Sequence, residues 1–143
     1  MNEFYAEAQK VNRTLASRKT HITDMELKVI THNRKQVLFI DYTQCKTQKE
    51  MIALMERAVH YYKKSPTNLR ILSDFTDAYS GIEFMSKLKG YGKELGDKTE
   101  KSAVIGIDGL KEILLKGYNV ISKKQVMPFR NKIQALNYLT SES

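Results

Sequence analysis

Four aspartates, Asp41, Asp74, Asp77 and Asp108, fall at or just after the C-terminal ends of short β-branched apolar runs. In a chain of net charge +8 they are notable, because carboxylate oxygens gathered at one edge are what Mg²⁺ prefers. The sharper versions of that chemistry fail on spacing. A phosphoacceptor site needs an adjacent acidic pair after its first strand and a lysine after its last, where this chain has lone Asp41 and Met127-Pro128. A phosphatase of the Asp-x-Asp type needs a second acid where Asp41-Tyr-Thr43 has threonine. Aspartates also cap helices and form turns, the plainer role for these four. Nucleophilic catalysis is weaker still. Cys45 lies in a polar turn without a neighbouring histidine, and His21, His32 and His60 fall on an N-terminal segment, a turn and a helix face. There is no glycine-rich dinucleotide fingerprint, phosphate loop or nucleophile elbow, and Gly106-Ile-Asp-Gly109 reads as a strand-to-helix turn. The expectation is a non-enzyme with no catalytic residue, metal or cofactor.

The elements that must position these residues alternate between two periods. Val37–Ile40, Leu69–Leu72, Ala103–Ile107 and Gln125–Met127 are strand-like, and a helical stretch follows each. Parallel neighbours need a crossover, usually a helix, so the pattern predicts a mostly parallel α/β sheet of about five strands with four crossover or terminal helices. The loops after the strand ends then share one edge, where such folds place their sites. Met25–Ile30 alternates and, with the polar turn Asn33-Arg34-Lys35, predicts an antiparallel hairpin strand ahead of the rest.

Thr47 and Glu50 form a capping box for a helix carrying Met51, Leu54, Met55, Ala58 and Tyr62 on one face and stopped by Ser65-Pro66. Ser80 and Glu83 make a second box, ahead of Phe84, Leu88, Tyr91 and Leu95. Gly90 and Gly92 weaken that helix, or let its backbone approach something closely. Asp108 is placed to cap a third helix with Leu110, Ile113, Leu114, Gly117 and Ile121 inward, and Ile133, Leu136 and Leu139 line a last one over about residues 131–140. At the N-terminus, Phe4, Ala8, Val11 and Leu15 make a thin helical stripe over residues 2–20, which needs a partner surface: its own domain, a second protomer or a membrane. Packing on protein is the plainer choice, and a homo-oligomer through this helix is one form of it.

With 143 residues the chain is read as a short helical extension, residues 1–20, and one domain, residues 21–143. Its apolar fraction of 41% and charged fraction of 28% are those of a soluble globular protein. A single cysteine suits a reducing compartment, and no stretch is long and apolar enough to span a bilayer or serve as a signal peptide, so a cytoplasmic location is expected. The lysines are spread singly or in pairs, without a dense basic run or an aromatic-basic RNA-binding signature. Nucleic acid is therefore not the expected partner.

Val37-Leu-Phe-Ile-Asp41, Leu72-Ser-Asp-Phe-Thr76, Ser102 through Leu110 and Phe129 through Leu139, in that order, resemble the STAS/SEC14-like family of small bacterial proteins, which has the fold of the anti-sigma-factor antagonists. The similarity spans about residues 24–139. It implies a mixed sheet with successive βα units winding as a superhelix. It also implies a non-enzymatic regulatory module that works by protein contact and sometimes by nucleotide or lipid binding. In the antagonists a phosphorylatable serine opens the helix after the third strand. The matching place here reads Asp77-Ala-Tyr-Ser80-Gly81, with the first serine of the usual pair replaced and the spacing to Asp77 longer. A phosphate on Ser80 would meet free backbone N–H groups and the positive end of a helix dipole, although simple capping is the plainer role.

The leading expectation is therefore an interaction module that contacts another protein through Ser80, Asp77 and Gly81 and the strand-end loops at Asp41, Asp74, Thr76 and Asp108. The alternative is a carrier of a small apolar or lipid-like ligand, with Met51, Met55, Met85 and Met127 and the rings of Tyr62 and Tyr91 lining a pliable pocket.

Overall fold

The fold begins with a hairpin. In the computed structural model, which describes residues 26–78, 81–121 and 124–142, strand β1 (Leu27–His32) turns at Asn33-Arg34 and returns antiparallel as β2 (Lys35–Asp41). Both turn residues have positive φ, 49° and 67°, as a two-residue loop requires if it is to follow the strands' twist. The helix expected over residues 2–20 lies outside the described residues. After the hairpin come α1 (Gln48–Lys64), β3 (Leu69–Asp74), α2 (Ile82–Leu95), a 3₁₀ turn (Gly96–Lys98), β4 (Thr99–Ile105), α3 (Gly109–Ile121), β5 (Val126–Phe129) and α4 (Lys132–Leu139).

The strands form one sheet in the order β1-β2-β3-β4-β5, with only the first pair antiparallel. The expected mixed, mostly parallel α/β sheet is what forms. Each parallel strand is laid on the same side of its predecessor, and crossovers keep one hand, so α1, α2 and α3 all cover one face. Helix α4 follows the last strand and covers the other, where Ala135, Leu136 and Leu139 pack with Val37, Phe39, Leu72, Ala103 and Ile105. Along β4 the alternation is strict: Ala103 and Ile105 face α4, while Val104 faces the three-helix layer. Pro128, which cannot donate to a ladder, is tolerated because β5 is an edge strand.

The Thr47 box forms with one difference. Thr47 Oγ1 accepts the Glu50 N–H at 3.1 Å, but the Glu50 carboxylate takes the N–H of Lys46, one residue before the cap, at 3.3 Å. Three expectations need correction. Helix α2 is capped by Gly81, with no side-chain cap bond, and Ser80 lies outside the described residues. The third helical N–H, of Phe84, donates instead to Gln48 Oε1 of α1 at 3.1 Å, so its cap comes from a neighbouring helix. In α3, Lys111, Leu115 and Tyr118 turn toward the sheet and Ile113, expected inward, is 66% exposed, while the side chains of Leu110, Leu114 and Ile121 lie outside the described residues. In α4, Ile133 is exposed and Ala135 is fully buried in its stead, in one cluster with the equally buried Ala103. Two facing methyl-sized side chains let helix and sheet approach more closely than an isoleucine would. Strand β4 also stops at Ile105 rather than Ile107. Gly106 takes φ +79°, and a Cβ there would come within 2.2 Å of the Thr76 backbone N. Only glycine lets those two strand-end turns touch.

Candidate functional site

Of the four strand-end aspartates, Asp41 and Asp74 come together, and both act as turn formers. Asp41 and Asp74 are register neighbours on β2 and β3. Asp41 Oδ1 accepts from the N–H and hydroxyl of Thr43 at 2.9 and 2.5 Å, and Asp74 Oδ1 accepts from the same groups of Thr76 at 2.9 and 2.7 Å. The chain thus repeats Asp-aromatic-Thr at two adjacent strand ends. Each carboxylate bends its own loop, and each intervening ring is driven beneath the edge. There Tyr42 and Phe75 stack at 4.7 Å with 6° between planes, and Phe84 meets both edge-on. This repeat is legible in the sequence, although it matches no catalytic spacing. Asp77 is exposed at φ 56°, and Asp108 is an exposed carboxylate 3.7 Å from the Lys111 ammonium. Among the described residues no three acids, histidines or cysteines converge as a metal site would need.

Strand order explains why the edge is not a crevice. Open α/β sheets bind ligands where the order reverses and two neighbouring loops part in opposite directions. Here the order never reverses across the described sheet. The space lies lower, between the sheet and its three-helix layer. A cavity of about 130 Å³ opens there. Its floor is Ile40, Ile71, Ser73, Ser102 and Val104, and its roof includes Met55, Met85, Leu88 and Leu115. At one end Tyr62 and Thr99 bond hydroxyl to hydroxyl at 2.9 Å. At the other lie Phe75, Ile107 and Lys111.

Of the side chains expected to form a pocket, Met55, Met85, Tyr62 and Tyr91 do line this one. Met51 is instead fully buried in the core and Met127 is 41% exposed on the edge strand. Gly92 admits Tyr118: a Cβ there would fall 2.3 Å from the phenol oxygen, so the glycine in α2 permits a close crossing by α3. That answers what Gly92 does inside a helix.

The cavity's polar groups were not foreseen. Ser73 faces inward between apolar neighbours on four sides: Ile40 and Val104 across the strands, Ile71 and Phe75 along its own. Ser102 faces inward beside Ile71 and Val126. Neither hydroxyl has a hydrogen-bond partner among the described residues. Lys111, 15% exposed, donates from Nζ to the Phe75 carbonyl at 2.9 Å. Among the described residues the lining carries Lys111 and Lys124 but no carboxylate. Burial pushes the Tyr42 phenol far above its ordinary value, and Cys45, Tyr62 and Arg57 act on it less. Burial also raises Tyr62, its bond to Thr99 offsetting part of the rise. Both phenols therefore stay neutral throughout the physiological range. A serine in a β-branched run is a signal the sequence does carry, since Ser73 and Ser102 interrupt otherwise apolar inward positions.

Cys45 is buried beside the Glu26–Arg57 ion pair, whose closest approach is 3.0 Å. Burial and then the Glu26 carboxylate push its thiol up to about 12, so it is a poor nucleophile at neutral pH. His60 is exposed on α1, and His32 Nε2 lies 2.8 Å from Asn137 Oδ1, remote from the cavity lining. No helix among the described residues is long and apolar enough to cross a membrane. Comparison of the chain with protein-family models, curated proteins and solved structures finds no match in any of the three.

Proposed function

We propose that this protein is a non-enzymatic binding module that holds a small, largely apolar ligand between its sheet and its three-helix layer. The observation that carries this is the cavity with unpartnered serines in its floor. Protein interiors are packed like organic crystals, and a void costs roughly 24 cal/mol per Å³. The 130 Å³ here is partly open to solvent, so water shares the space and the cost stays below the ~3 kcal/mol of an enclosed void of that size. Larger apolar side chains at Ser73 or Ser102 would reduce that cost within the same fold, so a cavity kept open is most simply a cavity that is used. An engineered apolar cavity of about 150 Å³ accepts benzene, which sets the scale: one ring, or about six aliphatic carbons. The STAS-like ancestry belongs to the same proposal. It is supported by a strand order that runs with the sequence and by three crossover helices on one face, as successive βα units wound into a superhelix produce.

Titration of the ¹⁵N-labelled protein with toluene tests the reading. Amide shifts should concentrate at Ser73, Val104 and Leu115 and saturate. Unmoved resonances at saturating toluene would refute it.

A second reading, contact with another protein, is favoured by one feature. Ile113 and Val120 lie seven residues apart on α3, 66% and 83% exposed, an apolar stripe directed at solvent. Sedimentation of the wild type against Val120→Glu would show whether self-association uses that stripe.

A further inference from the structure

We infer that the ligand is a small carboxylic acid, one aromatic ring or about six carbons in its apolar part, whose carboxylate is received by Lys111 and the Ser73 hydroxyl. This rests on the ligand-binding reading above and assigns the site its chemical class. Three features of the cavity lead to it.

The first is charge. Among the described residues the lining holds lysines and no acid, and at Lys111 the cation is 15% exposed beside a largely apolar space. An ammonium carries three N–H donors. One is spent on the Phe75 carbonyl at 2.9 Å. Asp108 stands 3.7 Å away, outside hydrogen-bond range, with its side chain 87% exposed, so it is a weak, screened partner. Donors remain for an anion arriving from the cavity side.

The second feature is the unpartnered hydroxyl. Ser73 lies two residues before Phe75, which directly follows β3 and lines the same cavity, about 7 Å along the extended chain from the residue whose carbonyl holds Lys111. A carboxylate has two oxygens and about four acceptor sites. Set between Ser73 and Lys111, it satisfies a hydroxyl that the described residues leave unmatched. A neutral hydrocarbon would leave that hydroxyl and the free ammonium donors facing an apolar guest.

The third is the state of the remaining polar wall. Tyr42 and Tyr62 are held neutral by their burial, so they offer O–H groups and no negative charge to repel an acid. The roof and walls beyond Lys111, which include Leu88, Leu115 and Val104, are apolar and accommodate the ring or chain.

Four probes sharing one ring decide the matter, each titrated into the full-length protein at pH 7 by calorimetry and ¹⁵N shifts: toluene, phenylacetate, phenylacetamide and phenethylammonium. Phenylacetate should bind about tenfold tighter than phenylacetamide, the difference between a charge-assisted and a neutral hydrogen bond, and phenethylammonium should bind weakest. Lys111→Gln should bring phenylacetate and phenylacetamide level, and Lys111→Arg should restore the preference. If toluene binds while phenylacetate is no tighter than phenylacetamide, the carboxylate inference is refuted and the cavity reading survives. If no probe binds, toluene included, both fall. The wild-type series decides the question even if a Lys111 variant fails to fold.

Discussion

Replacing Ser73 with valine should stabilise the protein and weaken it as a binder, and the two effects can be sized separately. The hydroxyl sits on a floor of Ile40, Ile71, Val104 and Phe75 with no partner among the described residues. Removing an unpaired, half-buried hydroxyl recovers about 1 kcal/mol, the low end of the usual penalty, because a cavity of 130 Å³ lets water visit. Valine fills the hydroxyl's place with one methyl and adds another, worth about 0.8 kcal/mol for the additional carbon. A β-branched residue in a central strand adds a few tenths. The total is about 2 kcal/mol, or roughly 4–8 °C in Tm for a chain of this size. Scanning calorimetry measures it, and phenylacetate titration of the same variant should show about a tenfold loss of affinity. A lower Tm with unchanged affinity would mean that the hydroxyl serves the fold, and the reasoning about the cavity would collapse.

The contact between strand ends is tested by Gly106→Ala. A left-handed φ costs an alanine about 1–2 kcal/mol, and a Cβ at 2.2–2.5 Å from the Thr76 backbone forces the two turns apart, loosening the 2.9 Å bond from the Phe75 N–H to the Ile105 carbonyl. Urea unfolding should report a loss of about 3 kcal/mol or more, and a loss under 1 kcal/mol would show that the turns are not in contact. Gln48→Ala removes the cap that α1 lends to Phe84 and should cost about 1 kcal/mol, whereas Gln48→Glu, which keeps the acceptor, should cost less. Stability should also fall in alkali. Cys45, Tyr42 and Tyr62 have folded pKa values raised from 9.0, 10.0 and 10.0, so the neutral forms are favoured by folding. That contribution is complete below about pH 9 and is lost as pH rises from the unfolded values toward the folded ones. Denaturant midpoints flat from pH 7 to 8.5 and falling beyond pH 9.5 are expected. Iodoacetamide should modify Cys45 slowly at pH 8, and modification at the rate of a free thiol would contradict its burial.

Much of this molecule could be read before any coordinates. The two hydrophobic periods specify strands and helices, the Asn33-Arg34 turn specifies the hairpin, and the Thr47 cap specifies where α1 begins. All are local signals, set by residues within one turn of one another. Non-local choices escaped. Helix α2 starts at Gly81 because a glutamine from another helix caps it, and α3 turns Lys111 and Tyr118 inward because Gly92 and the Phe75 carbonyl receive them. The aspartates look like a site in sequence because strand ends are where sites gather. Asp41 and Asp74 instead each bind the threonine two residues on, a local turn. What tertiary structure decides is that a strand order that never reverses leaves no crevice at the edge for any of them to face. The cavity could come only from the assembled layers. It is the volume left when three helices cover a floor containing Ser73 and Ser102, and such a remainder depends on all the packed surfaces at once. Periodicity acts along the chain, while emptiness is decided across it.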